Sequence, residues 1–226
     1  AGFTPADDLA EVRDRPAAKS KGSTLVKAAP AAPSSSAASP YRMMQPVFTL
    51  GGLSPAVADL FAPQFSALGL SAIALGGSTQ GSSNPAADGA SAKLGAPNAE
   101  SRVPTTLQPG GAVAVALATG DISLAGTGTV SRVDGNRITA FGHPMMSLGD
   151  VELPMCAAEI LTILPSQMSS MKIANTGAVI GTITQDRLSA VSGTLGAGPA
   201  MVDVEVTVKT GKGANRTLRA SPPVTK

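Results

Sequence analysis

The 226-residue chain has no tryptophan, one tyrosine, one cysteine and one histidine. The lone Cys156 excludes an internal disulfide framework and reads as a small buried hydrophobe beside Met155. No Cys/His cluster offers a metal site, and no cofactor is expected. Aromatic residues make up 3% of the chain, so nucleic-acid bases would find little to stack on. The lysines and arginines behind a net charge of +2 are dispersed rather than striped. A nucleic-acid partner therefore has little support. The shortage of tryptophan and tyrosine also disfavours a carbohydrate-binding module. No uninterrupted apolar run reaches the length of a membrane span. The chain opens "AGFTPADDLAEV", with neither an initiator methionine nor a signal peptide. It therefore reads as a fragment or a processed product of a longer precursor.

What is present is small and β-branched. The composition is 43% hydrophobic and 14% charged, with 25 glycines and 18 prolines. Any core must be built from Val, Ile, Leu and Ala, and the length suits one sizeable domain or two small ones. Residues 1–15 carry helix-start marks: Thr4 as N-cap, Pro5 at the first helical position and acids in the first turn. Residues 16–45 form an Ala/Pro/Ser tract that reads as a solvated linker, with "STLVKA" its one stretch of strand texture. Residues 46–75 predict a strand–helix–strand segment. Its strand is Val47 to Leu50, and its helix is capped at Ser54-Pro55, carries Val57, Leu60 and Phe61 on one side, and is bent or broken at Pro63. Residues 76–102 are a Gly/Ser-rich loop that lacks the lysine and following helix of a phosphate cradle.

From residue 103 to 212 the pattern becomes short strands separated by turn residues. Thr119-Gly120-Asp121 separates two of them, and Val133-Asp134-Gly135-Asn136 is a hairpin signal. "AAEILTILPS" fits either a strand or a short helix. "AVIGTITQD", "LSAVSGTLG" and "AMVDVEVTVKT" add further strands. In the last, Val202, Val204, Val206 and Val208 alternate with Asp203, Glu205 and Thr207. Residues 213–226 read as a tail. The fold class expected is mainly β, an antiparallel barrel or sandwich with a small α/β N-terminal part and flexible linkers.

The single histidine, His143, lies in "NRITAFGHPMMSLGD", between Gly142 and Pro144 at the end of an apolar run. An imidazole held rigidly at a strand end suits a general base near neutrality. It would need a nucleophile on one ring nitrogen and an orienting group on the other. A structural histidine bonded to backbone in a turn is the other reading of the residues alone.

Two blocks, "AGTGTVSRVDGNRITAFGHPMMSLGDVELPM" and "SSMKIANTGAVIGTITQDRLSAVSGTLG", resemble the SpoIVB peptidase family of serine peptidases. The first is similar to that family's GT-(V/A)-T-x-(V/I)-D segment running into its Gly-His motif. The second is similar to a glycine-spaced stretch, matched at Gly181, Ile183, Asp186, Gly193 and Leu195. The resemblance covers about residues 103–210, with fainter likeness at 46–72. It implies a chymotrypsin-like barrel, a secreted or extracytoplasmic setting, self-cleavage, and a peptide or protein substrate.

Residue by residue, the resemblance makes His143 the general base. The family's nucleophile lies in a G-M-S-G-S-P segment that this sequence does not contain. Ser189 and Ser192 lack its glycine-rich surroundings and read as strand residues. The resemblance implies a serine-bearing segment of the same precursor. It lies either upstream of Ala1, since "AGFTPADDLAEV" is similar to the stretch just after that segment, or downstream of Lys226. Asp186 is the leading orienting carboxylate, with pairing to Arg187 or capping of a turn as its alternatives. Asp150 is a second choice, since "LGDVELP" reads as a turn with solvated acids, and Asp203 reads as solvent-facing. Two functions remain: the histidine-bearing part of a serine endopeptidase, or a non-catalytic β-domain that keeps the scaffold for assembly or binding.

Overall fold

Turn residues divide the apolar stretches and decide where strands begin and end. In the computed structural model, which describes residues 5–16, 47–67, 70–75, 106–165, 170–209 and 215–224, the chain is mainly β. The reading of residues 16–45 as a linker, beyond Pro16, and that of 76–102 as a loop lie outside the described residues. The first elements are α1 (Ala6–Asp14), β1 (Val47–Gly51), α2 (Pro55–Ala67) and β2 (Ser71–Ala74). Strands β1 and β2 pair in parallel, as a helical crossover requires.

Next come β3 (Ala112–Gly120), β4 (Ser123–Asp134) and β5 (Arg137–Ala140). A two-residue turn at Gly135-Asn136 joins β4 to β5, with Gly135 at φ +60°. A positive φ at the first turn position is what a two-residue hairpin of this kind demands. The long pair β6 (Gly149–Leu164) and β7 (Met171–Asp186) comes after them, then β8 (Val191–Leu195), β9 (Val204–Lys209) and β10 (Asn215–Ser221).

The ten strands form one sheet in the order β2-β1-β4-β5-β8-β7-β6-β3-β10-β9, with an additional β3–β4 pairing. That extra pairing closes a ring. Strands β3, β4, β5, β8, β7 and β6 pair in succession, all antiparallel, and β6 returns to β3. Closure leaves the ring itself without an open edge, and the sheet ends at β2 and β9. Val113, Val115, Val130, Ile138, Met155, Ile183 and Val191 pack together with Phe48 and Met145 in its main core. The glycines of the second sequence block serve the β7–β8 crossing. A Cβ on Gly181 or on Gly193 would strike the carbonyl of Thr194 or of Thr182 on the facing strand.

A second apolar cluster is made almost wholly of alanine: Ala114, Ala116, Ala125, Ala158 and Ala174 with Cys156. These residues share the other face of β3, β4, β6 and β7, so β3 is buried on both sides. The sheet curls until the start of β7 reaches β4, where the Lys172 ammonium donates to the Thr129 hydroxyl. Side chains that are nearly all methyl groups let the curled faces close tightly.

Several expectations are corrected. Within the stretch read as a tail, 213–226, Asn215–Ser221 form β10 and pair with β9. Of the two readings of "AAEILTIL", strand or helix, the structure has the strand. Helix α2 continues through Pro63, which is exposed. The carbonyl that this proline cannot serve can therefore bond to water. The buried side of α2 holds Ala58 and the half-buried Val57 and Phe65, whereas Leu60 and Phe61 face solvent.

Candidate functional site

The segment between β5 and β6 carries His143. It starts from a fixed point, since the Phe141 N–H donates to the Thr129 carbonyl at 2.9 Å. The backbone then turns through left-handed conformations at Phe141 (φ +75°), Gly142 (φ +69°) and Ser147 (φ +59°). Two of these residues bear side chains, and each such position costs about 1 kcal/mol or more. The surrounding structure must therefore hold the loop in place.

Three contacts do so. The Met145 side chain, 1% exposed, plugs into the main core. The Phe141 ring lies over Gly128, where any Cβ would overlap it. Asp186, at the last position of β7 and 0% exposed, closes the loop from below. Its Oδ1 accepts the Met145 N–H at 2.8 Å, and its Oδ2 accepts those of Met146 at 2.8 Å and Leu148 at 3.2 Å. A buried carboxylate facing main-chain donors makes charge-assisted bonds, the strong kind, and offsets its own desolvation.

His143 is half-buried on this loop, with its ring 5.6 Å from that of Phe141 and tilted 46°. Its Nδ1 lies 2.8 Å from the Pro144 carbonyl oxygen. A carbonyl only accepts, so this contact puts the ring proton on Nδ1 and leaves the lone pair on Nε2. That tautomer is the one a general base acting through Nε2 requires.

The other expected residues are placed as follows. Asp186 gives its oxygens to the loop amides rather than to the imidazole, so of its three readings the hydrogen bonds match the turn cap. Asp150 is not a turn residue, because it is the second residue of β6. Its Oδ1 accepts from Gln185 Nε2 at 2.8 Å and pairs with Arg187 Nη2 at 3.0 Å. Gln185 in turn accepts from Arg187 Nε at 2.9 Å and reaches the Pro16 carbonyl at 3.3 Å, just after α1. Ser192 is buried and gives its hydroxyl to the Ile138 carbonyl at 3.0 Å. Asp203 accepts from the Ser221 hydroxyl at 2.9 Å in an exposed setting.

A cavity of about 350 Å³ opens beside the loop, between α1 and the β7–β8 turn. Glu11, Arg15, Ser147, Arg187 and Ser189 line it. Helix α1 is held there by buried Val12 and by ion pairs from its last turn, Arg13 to Asp134 at 3.6 Å and Asp14 to Arg137 at 3.7 Å. Within the helix Arg13 also bonds Asp14 through Nε and Nη2, both at 2.7 Å. That hydrogen bond lowers the Asp14 pKa, and the charges of Arg13, Arg137 and Arg132 lower it further. Sequence reasoning missed Phe141, Gln185 and this approach of α1. The Gly-x-Gly of "AGTGTV" carried a signal for the first, since a bare backbone at Gly128 leaves room for a ring.

Cys156 is buried in the alanine cluster, where desolvation pushes its pKa up to about 12. Such a thiol is inert as a nucleophile at neutral pH. Among the described residues no group of His, Cys, Asp and Glu could hold a metal ion, and no helix is long and apolar enough to cross a membrane. Comparison with protein-family models, curated proteins and solved structures finds no match for this chain.

Proposed function

We propose that the chain is the histidine-bearing part of a SpoIVB-type serine endopeptidase that processes itself, with the nucleophilic serine on another segment of the same precursor. The observation that carries this reading is the build of the His143 loop. A strained backbone, anchored by a buried carboxylate, presents the only imidazole of the chain with Nε2 as its basic nitrogen. Strain that a buried polar network holds in place is a frequent mark of functional loops. The closed antiparallel ring supports a barrel of the chymotrypsin-like type.

In this reading Nε2 takes the proton of the incoming serine hydroxyl as its oxygen attacks the scissile carbonyl of a peptide or protein. The same proton then passes to the leaving amine. The Pro144 carbonyl stands on Nδ1 where a carboxylate often stands, and it fixes the tautomer. Asp186 is a positioning residue that acts through the loop. The extracytoplasmic setting belongs to the same proposal.

The test is fluorophosphonate labelling of the full precursor. Labelling is expected on a serine outside residues 1–226 and should slow at least about 100-fold in His143→Ala. Unchanged labelling and processing in that variant would sink the proposal. The chain would then be a non-catalytic β-domain for assembly or binding, a reading favoured by the exposed apolar ribbon of β9 and β10.

A further inference from the structure

Strand β9 ends the sheet. It pairs with β10 on one side, and among the described residues its other edge has no partner strand. All of its positions are exposed. The register with β10 runs without a bulge from Lys209↔Asn215 to Val204↔Ala220, and no proline interrupts β9. One face carries Val204, Val206 and Val208, each 40–47% exposed, with Leu218 facing Val206 across the ribbon. A regular, apolar, open edge is the arrangement that soluble proteins ordinarily guard against.

The order of residues in "VEVTVK" says what fits this edge. A two-fold axis through Thr207 would set a second β9 antiparallel to the first. Glu205 then faces Lys209 of the other copy, and Lys209 faces its Glu205. On the opposite face Val206 meets Val208, again twice. Unlike charges directly opposite one another, and paired β-branched side chains, are the favourable cross-strand combinations.

Neighbouring registers lose this match. An axis between Val206 and Thr207 would set Glu205 against Val208 and merge the polar row with the apolar one. An axis through Val206 keeps the rows separate but leaves Glu205 facing Thr207, and sets Lys209 against Asp203, which lies outside β9. We propose that β9 is a self-complementary docking edge, and that two copies of this chain pair through it antiparallel about Thr207. A four-stranded β10-β9-β9-β10 sheet results, with one continuous valine face. The inference stands independently of the peptidase reading.

Charge reversal tests it on the whole chain, with mass measured by sedimentation equilibrium over a wide concentration range. The wild type is expected to dimerise. Glu205→Lys and Lys209→Glu should each weaken dimerisation about ten-fold or more, because symmetry repeats every repulsive pair. An equimolar mixture of the two variants should recover the dimer, since the E205K chain presents only lysines, and the K209E chain only glutamates, at the paired positions. The double reversal E205K/K209E should also dimerise. Circular dichroism checks that the exposed substitutions leave the fold unchanged. The proposal is overturned by a wild type that stays monomeric throughout, as it would if another strand of the same chain covered the edge. It is equally overturned by a dimer that survives the single reversals, or by a mixture that remains monomeric.

Discussion

Strands β3 and β9 are written in nearly the same alphabet, "AVAVALATG" against "VEVTVK", and meet opposite fates. Val113 and Val115 are 0% exposed, as are Ala114 and Ala116 on the other face of β3. The valines of β9 remain 40–47% exposed. Both strands are hydrogen-bonded to a neighbour, so the difference is enclosure. Strand β3 has β4 and β6 beside it and the curled sheet on both faces, whereas among the described residues β9 has only β10 beside it. Apolar surface contributes in proportion to the area taken from water, so similar valines carry very different shares of the stability.

The largest break in that contrast is expected at the enclosed end that carries the histidine. Asp186→Ala strands the amides of Met145, Met146 and Leu148 beside a new void. It should cost about 3 kcal/mol or more in urea unfolding, well beyond any change in β9. A loss under about 1 kcal/mol would mean that the loop holds itself without the carboxylate.

Next is the direct pair. Val115→Ala should cost about 2–3 kcal/mol, because the barrel cannot collapse onto the missing methyl groups. Gly128→Ala should cost about 2 kcal/mol through overpacking against Phe141. It should also shift the imidazole resonances of His143, whose uniqueness in the chain makes the NMR assignment immediate. Unmoved resonances would show that the ring stack does not position the histidine.

The alanine cluster supplies a pH test. Folded Cys156 keeps its proton to about 12, while the thiol of an unfolded chain releases it in the ordinary range near 8.5. Its contribution to stability is therefore complete below about pH 8.5 and declines as pH rises toward the folded value. Between about pH 8 and 10 the wild type should lose about 1–2 kcal/mol that Cys156→Ala does not lose. Parallel alkaline curves for the two proteins would refute the burial of that thiol. The smallest effect belongs to Val206→Ala, expected below about 0.5 kcal/mol for the isolated chain. A cost equal to that of Val115→Ala would mean that β9 is covered after all.

Local chemistry alone makes many elements legible. Period-two alternation marks β9, Asp134-Gly135-Asn136 marks the β4–β5 hairpin, and acids near residue 7 mark α1. The His143 segment is also visible, because a lone histidine between glycine and proline at a strand end stands out. The hidden features depend on distant pairings. No local pattern links Asp186 to its loop contacts, since it lies 41 residues after Met145 and 38 after Leu148. The passage of α2 through Pro63 depends on which carbonyl faces water, and β10 escapes notice because "NRTLRAS" has strand character only when paired with β9.

By itself, then, the sequence determined which residues alternate, where the chain turns, and that any imidazole chemistry must pass through His143. The closure of β3 onto both β4 and β6 was decided only in three dimensions. So was the turning of the Asp186 carboxylate toward three loop amides and the exposure of the β9 valines. The physical reason is common to all three. Turn and strand preferences act over a few residues, whereas burial and the satisfaction of a buried charge depend on what the rest of the chain brings alongside.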